Sequence, residues 1–218
     1  MLTGRIRACT ASAAALAAAL VVTGSAGAAG DGRKDGRKTA PQDNRSRVVL
    51  AGGVFAEPGG TTVPPAVTYD RRLVPAGATI AVAQLTDRRG MSVSLTVRGL
   101  PADHAYEAHV HTRPCGSRPE DSGPHYRNVR APGTPSTGSR DDGPENDPEN
   151  EIRLELETDD HGGDEDRASR TWRFRAGEAR SVVLHERSAR HGSGRTGHAG
   201  AGVACLTVPF APAAPAGR

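Results

Sequence analysis

The sequence predicts an all-β domain, a Greek-key β-barrel or sandwich of immunoglobulin-like kind. Three observations carry that expectation. Aromatic residues are only 3% of the 218 residues while Gly and Pro number 27 and 16, so a core must come mainly from Val, Leu, Ala and Ile between many turns. From about Val48 onward, short runs alternate apolar and polar residues, the period of a half-buried strand. After the N-terminal segment, no stretch shows a convincing helical period.

Taken in order, "ATIAVAQLT" at 78–86 and "SVSLTVRGL" at 92–100 flank "DRRG", a hairpin turn in which Gly90 can adopt a positive φ. "YEAHVHT" at 106–112 follows as a third strand. "IRLELET" at 152–158 puts Ile152, Leu154 and Leu156 on one face and Arg153, Glu155 and Glu157 on the other. "TWRFRAG" at 171–177, "RSVVLHE" at 180–186 and "GVACLTVPF" at 202–210 complete a set of about seven or eight strands. Two connections, 113–150 and 186–201, are long for structureless loops, and each begins beside a histidine. Loops of that length in a compact domain are commonly functional or disordered.

The first 29 residues read as a signal peptide: Arg5 and Arg7, the apolar run "ASAAALAAALVV", then "TGSAGAA", where Ala26 and Ala28 fit an Ala-x-Ala cleavage pattern. The apolar run is about a dozen residues against the roughly 20 that a spanning helix needs. The expected location is therefore secreted. Cleavage removes Cys9 and leaves Cys115 and Cys205 in an oxidising compartment, where a single disulfide between them is the simplest outcome. Residues 30–47, with "DGRKDGRKTAPQDNRSR", read as a basic disordered linker that could touch an anionic wall or membrane surface. The domain is expected over 48–210, and "APAAPAGR" at 211–218 as a flexible end.

The formal net charge of +3 falls to +1 without Arg5 and Arg7, so no nucleic-acid partner is expected. Most acidic residues fall between 141 and 166, in "RDDGPENDPENE" and "ETDDHGGDEDR", read first as solvated loops and second as cation sites.

His109 and His111 are two apart in a strand, so both project to the same side about 6.6 Å apart and can approach one ion. Imidazole suits copper, zinc and nickel. A lone His-x-His is equally well a pair of solvent-facing strand histidines, and the context decides. Fourteen residues after His111, "GPH" presents His125 from the long loop; "VVLHE" presents His185 at a strand end; "AGVAC" returns the second cysteine near the end of the domain.

In this order, "HVH", the following cysteine, "GPHYRN", "VVLHE" and "TGHAGAGVAC" resemble the copper/zinc superoxide dismutase family over roughly residues 50 to 210. The resemblance implies an eight-stranded Greek-key β-barrel with copper held by His109, His111, His125 and His185, and Cys115 joined to Cys205. It also implies superoxide as substrate and a catalytic role for His125, which leaves copper and carries a proton during turnover. Two departures accompany it. Between Tyr126 and Asp160 there is no histidine to complete the family's zinc site, so zinc is not expected. His161 in "DDHGG", like His104, His191 and His198, reads as solvent-facing or auxiliary. The family's rim arginine, three residues before the second cysteine, is replaced by Gly202, which puts catalysis in doubt; Arg190 and Arg195 are the nearby cations. The alternative expectation is a secreted copper-binding protein without turnover.

Overall fold

A computed structural model describes residues 46–59, 62–130, 148–187 and 200–212. The expected signal peptide, nearly all of the linker, and Arg190, His191, Arg195 and His198 lie outside the described residues. Nine strands are present among them: β1 (Arg47–Val54), β2 (Ala66–Thr68), β3 (Thr79–Asp87), β4 (Gly90–Arg98), β5 (Ala105–His111), β6 (Arg153–Glu157), β7 (Asp164–Arg170), β8 (Ser181–Glu186) and β9 (Gly202–Thr207). They form two antiparallel sheets, ordered β1-β3-β4-β7 and β2-β9-β8-β5-β6. The all-β class stands.

The core lies between the sheets. Ile80, Val82, Val93, Leu95 and Val97 from one sheet meet Tyr106, Ala108, Val110, Leu154, Leu156, Val182, Leu184, Ala204 and Leu206 from the other. The β3–β4 hairpin closes through Asp87 and Gly90, with Gly90 at φ 145°; a Cβ there would lie 2.0 Å from the Arg170 carbonyl oxygen, so only glycine fits.

Three expectations need correction. The stretch 171–177 is not a strand: Trp172 and Phe174 alternate, but they leave the sheet to pack beside Tyr126, and Phe174 also meets Phe210. The strand lies just before, in β7, where Ala168 is the one buried residue, so its side chains carried almost no apolar signal and its backbone register with β4 defines it. Nor are Asp164 and Asp166 merely solvated: their carboxylates accept the Glu157 and Glu155 backbone amides of β6 at 2.6 and 2.8 Å. Finally, β1 begins at Arg47, and Ala211, expected in a flexible end, is held by the buried Gln84, whose side chain donates to the Ala211 carbonyl and accepts from its amide.

The five-stranded sheet is unusual on its outer face. All of β5 except its first residue is buried, and so is all of β8 except its last. Tyr106, Ala108 and Val110 face the core, so Glu107, His109 and His111 face outward. Residues 112–130 fold back over the two histidines, with Gly123 bonded to His111 and His125 stacked on His109. That cover is fastened by the Cys115–Cys205 disulfide, by Ser181 Oγ donating to the Arg113 carbonyl at 2.7 Å, and by Tyr126 N donating to the Val110 carbonyl at 2.7 Å. The bridge closes a separation of 90 residues, which in the chain-entropy account restricts the unfolded state by about 4 to 5 kcal/mol before strain is deducted.

Candidate metal centre

Four histidine rings gather under this cover. His109 and His111 come from β5, and His185 from β8, where a register shift after Leu184 sets it opposite Gly202 of β9. A shift of this kind re-aims a side chain at the end of a ladder. His125 comes from the covering segment, whose backbone bridges to His111. Ring centroids lie 4.0 Å apart for His109 and His125, 4.8 Å for His111 and His125, 5.6 Å for His111 and His185, and 5.7 Å for His125 and His185.

The hydrogen bonds decide which nitrogens remain free. His111 Nδ1 donates to the Gly123 carbonyl at 2.7 Å and His185 Nδ1 to the Gly200 carbonyl at 2.6 Å. A carbonyl can only accept, so the proton sits on Nδ1 and the lone pair on Nε2. Glycine is required at 123, where φ is 72° and a Cβ would lie 2.8 Å from Thr112 Oγ1. His125 Nδ1 donates to Glu151 Oε2 at 3.0 Å, and Glu151 Oε1 accepts from Arg127 Nε at 2.8 Å. His109 Nε2 lies 2.9 Å from Glu107 Oε1. What is left over is His109 Nδ1, His111 Nε2 and His185 Nε2, each buried and without a hydrogen-bond partner among the described residues.

Burying a polar atom unpaired costs on the order of 1–3 kcal/mol. Three such atoms among four adjoining imidazoles fit a cation. His109, His125 and His185 could hold a metal ion: their ligand nitrogens all lie within 4.8 Å of one another. Two nitrogens on one ion at about 2.1 Å are at most about 4.2 Å apart, so the group has to draw in somewhat on binding. His111 stands outside this closest trio, although its ring touches that of His125.

Electrostatics keep these ligands neutral. Burial is the first cause that lowers the His109, His111 and His185 pKa values, aided by the charge of His125; His111 falls to about 2 and His185 to about 4, while His109 is pushed well below its ordinary value. Neutral imidazole is the form that binds metal. Burial pushes the Glu151 carboxyl up, but its hydrogen bond and attraction to His125 and its bond to Arg127 outweigh this and hold it at about 2.

The remaining expected residues stay apart. His104 lies at the far end of β5, 3.6 Å from Glu186. His161 is exposed in a turn beside Asp159 and Asp160, an open acidic group. Gly202 does reach the site: a Cβ there would be 3.9 Å from His185 Cε1, but also 2.9 Å from Val183 Cγ1 and 3.4 Å from Pro119 Cβ. Sequence reasoning missed two residues. Glu151 was read into a solvated acidic stretch, and Glu107 was passed over, although Glu-x-His in a strand places both side chains on one face. No family model matches the sequence, and no curated protein matches it.

Proposed function

We propose that this domain binds one copper ion through His109, His111, His125 and His185 and, as a secreted protein, converts superoxide to oxygen and hydrogen peroxide, as its resemblance to the copper/zinc superoxide dismutases implies. The observation that supports the reading best is the set of three buried, partnerless nitrogens beside His125. An all-imidazole set suits copper well, since affinity for nitrogen donors peaks at that metal. When bound, copper would supply one-electron cycling between two oxidation states.

The chain supplies the rest. His111 and His185 each have Nδ1 committed to a backbone carbonyl, which fixes the ring and leaves Nε2 free, and His109 has Nε2 beside the Glu107 carboxylate and Nδ1 free. His125 is the least buried of the four, with its side chain 24% exposed, and so is the one placed to exchange protons with water. Glu151 occupies its outer nitrogen, the side that in the resembling family faces zinc; held by Arg127, the carboxylate keeps the proton on Nδ1 and leaves Nε2 to receive one. This arrangement needs no second metal.

The binding-only alternative draws on Gly202, which carries no guiding cation and where an added Cβ would press on Val183 Cγ1 at 2.9 Å. One experiment separates the readings. The mature protein is loaded with one equivalent of copper(II), its EPR spectrum is recorded, and superoxide decay is measured with and without a chelator. The expected result is a nitrogen-rich tetragonal signal and decay that the chelator abolishes. A signal without faster decay leaves the binding protein, and no protein-bound signal sinks the site.

A further inference from the structure

We infer that Glu107, clamped by Arg153, is the positioning residue for His109, holding the proton on Nε2 so that Nδ1 is the atom offered to the metal. Of the four histidines, His109 is the one whose free nitrogen is Nδ1 rather than Nε2. Something must reverse the choice made by His111 and His185, whose Nδ1 atoms each bond a backbone carbonyl. Glu107 Oε1 is 2.9 Å from His109 Nε2 and 2.7 Å from Arg153 Nε. Neither contact is aligned as a hydrogen bond, yet a carboxylate oxygen this close to Nε2 favours the proton on that nitrogen.

The placement follows from register. Glu107 and His109 are two apart on β5, hence on one face; Arg153 of β6 pairs opposite His109, and His185 of β8 pairs opposite Glu107. One carboxylate therefore lies beside His109, His185 and a cation, at cross-strand contact distance. Directly opposite it on β6 stands a second carboxylate, Glu155, which shares Arg153, and beyond Val183 on the same outer face Cys205, Cys115 and Val67 complete a separate small apolar core. A carboxylate buried to 8% exposure beside such a cluster stabilises little even when paired, since burial costs about as much as the pairing returns. A merely structural position here would favour an apolar side chain. Contacts from the partner of a ligating histidine set its tautomer and ring angle, and losing them typically costs roughly 10–100-fold in metal affinity.

The affinity part of this inference rests on the proposed copper reading, but the tautomer part does not. In the metal-free full chain at pH 8, imidazole nitrogen shifts from heteronuclear NMR report the tautomer of each histidine. His109 is expected as the Nε2–H form in the wild type. Glu107→Met, which removes the acceptor without leaving a void, is expected to move it towards Nδ1–H and to weaken copper(II) binding roughly 10–100-fold, with an altered EPR hyperfine splitting. Glu107→Ala serves as a second apolar variant. Arg153 retains Glu155, 3.3 Å away, and stays partly exposed, so neither variant strands its charge. Glu107→Gln, which keeps an accepting oxygen, should recover most of the tautomer and part of the affinity. An unchanged His109 tautomer in Glu107→Met, with copper affinity within twofold of wild type, overturns the inference. Copper failing to bind the wild type while the tautomer still moves would instead overturn the proposed function and leave Glu107 as the determinant of His109.

Discussion

The two sheets are built from similar alternating sequences and are used differently. In β3, burial alternates residue by residue, with Ile80, Val82, Gln84 and Thr86 inward and the intervening positions more open. In β5 and β8 it does not alternate, because a disulfide-fastened segment covers the outer face and converts it into a second interior. One face then supplies stability and the other can carry chemistry. Imidazoles that would titrate freely in water are kept neutral there by desolvation, which a one-layer sheet surface cannot provide.

Acid should break this comparison most forcefully. His109, His111 and His185 have folded pKa values below the ordinary 6.5, lowered first by burial; His185 lies at about 4 and His111 at about 2. Below 6.5 the unfolded chain takes up protons that the folded one refuses. Stability of the metal-free protein is therefore full above about pH 6.5 and is lost progressively as pH falls towards those values. Glu151, held at about 2 from 4.5, adds loss in the same direction below pH 4.5. Urea midpoints should drop between pH 7.5 and 5. His185→Leu should flatten the dependence by up to about 1.4 kcal/mol per pH unit, the value of one proton. Equal slopes in variant and wild type would mean the buried imidazoles are not what acid attacks.

The converse test lies in the four-stranded sheet. Leu95 is wholly buried on the inner face of β4, and Leu95→Ala should cost about 2–5 kcal/mol in denaturant unfolding. Copper affinity of the folded fraction should stay unchanged. A parallel loss of affinity would show that the two faces are coupled. Gly202→Arg comes next in size. Its Cβ would approach Val183 Cγ1 to 2.9 Å, so restoring the family's cation at this position should destabilise by about 1–3 kcal/mol and leave superoxide decay no faster. A faster decay at unchanged stability would show that Pro119 and Val183 yield.

Much of this was legible in the residues, and the remainder was hidden for physical reasons. Period-two alternation located β3 to β6, β8 and β9, because each has a full apolar face. It named no strand at β1, at the three-residue β2 or at β7, whose single buried residue leaves the strand to backbone pairing, and it mistook the aromatic alternation at Trp172 and Phe174 for a strand. Spacing and order brought out the four histidines and the cysteine pair. Their partners were illegible: Glu107 and Glu151 look like surface acids until the covering segment is seen to bury them, and burial is a property of the fold rather than of the local sequence.

The smallest effect is expected where the first sheet meets solvent. Val48, Leu50 and Val54 lie on the outer face of the edge strand β1, and Leu50 is 75% exposed. Its removal from water on folding is slight, so Leu50→Ser should change unfolding free energy by no more than about 0.5 kcal/mol. The same substitution at Val183, equally outward on its own strand but covered, would empty a buried site and cost several-fold more, on the order of 2 kcal/mol or above. Leu50 sits on an edge strand and Val183 on an interior one, but both point outward from their sheet, and the larger difference is whether a loop lies above them. If denaturant midpoints for Leu50→Ser and Val183→Ser fell by the same amount, the covering segment would not be acting as a second interior, and the neutral histidines beneath it would need another cause.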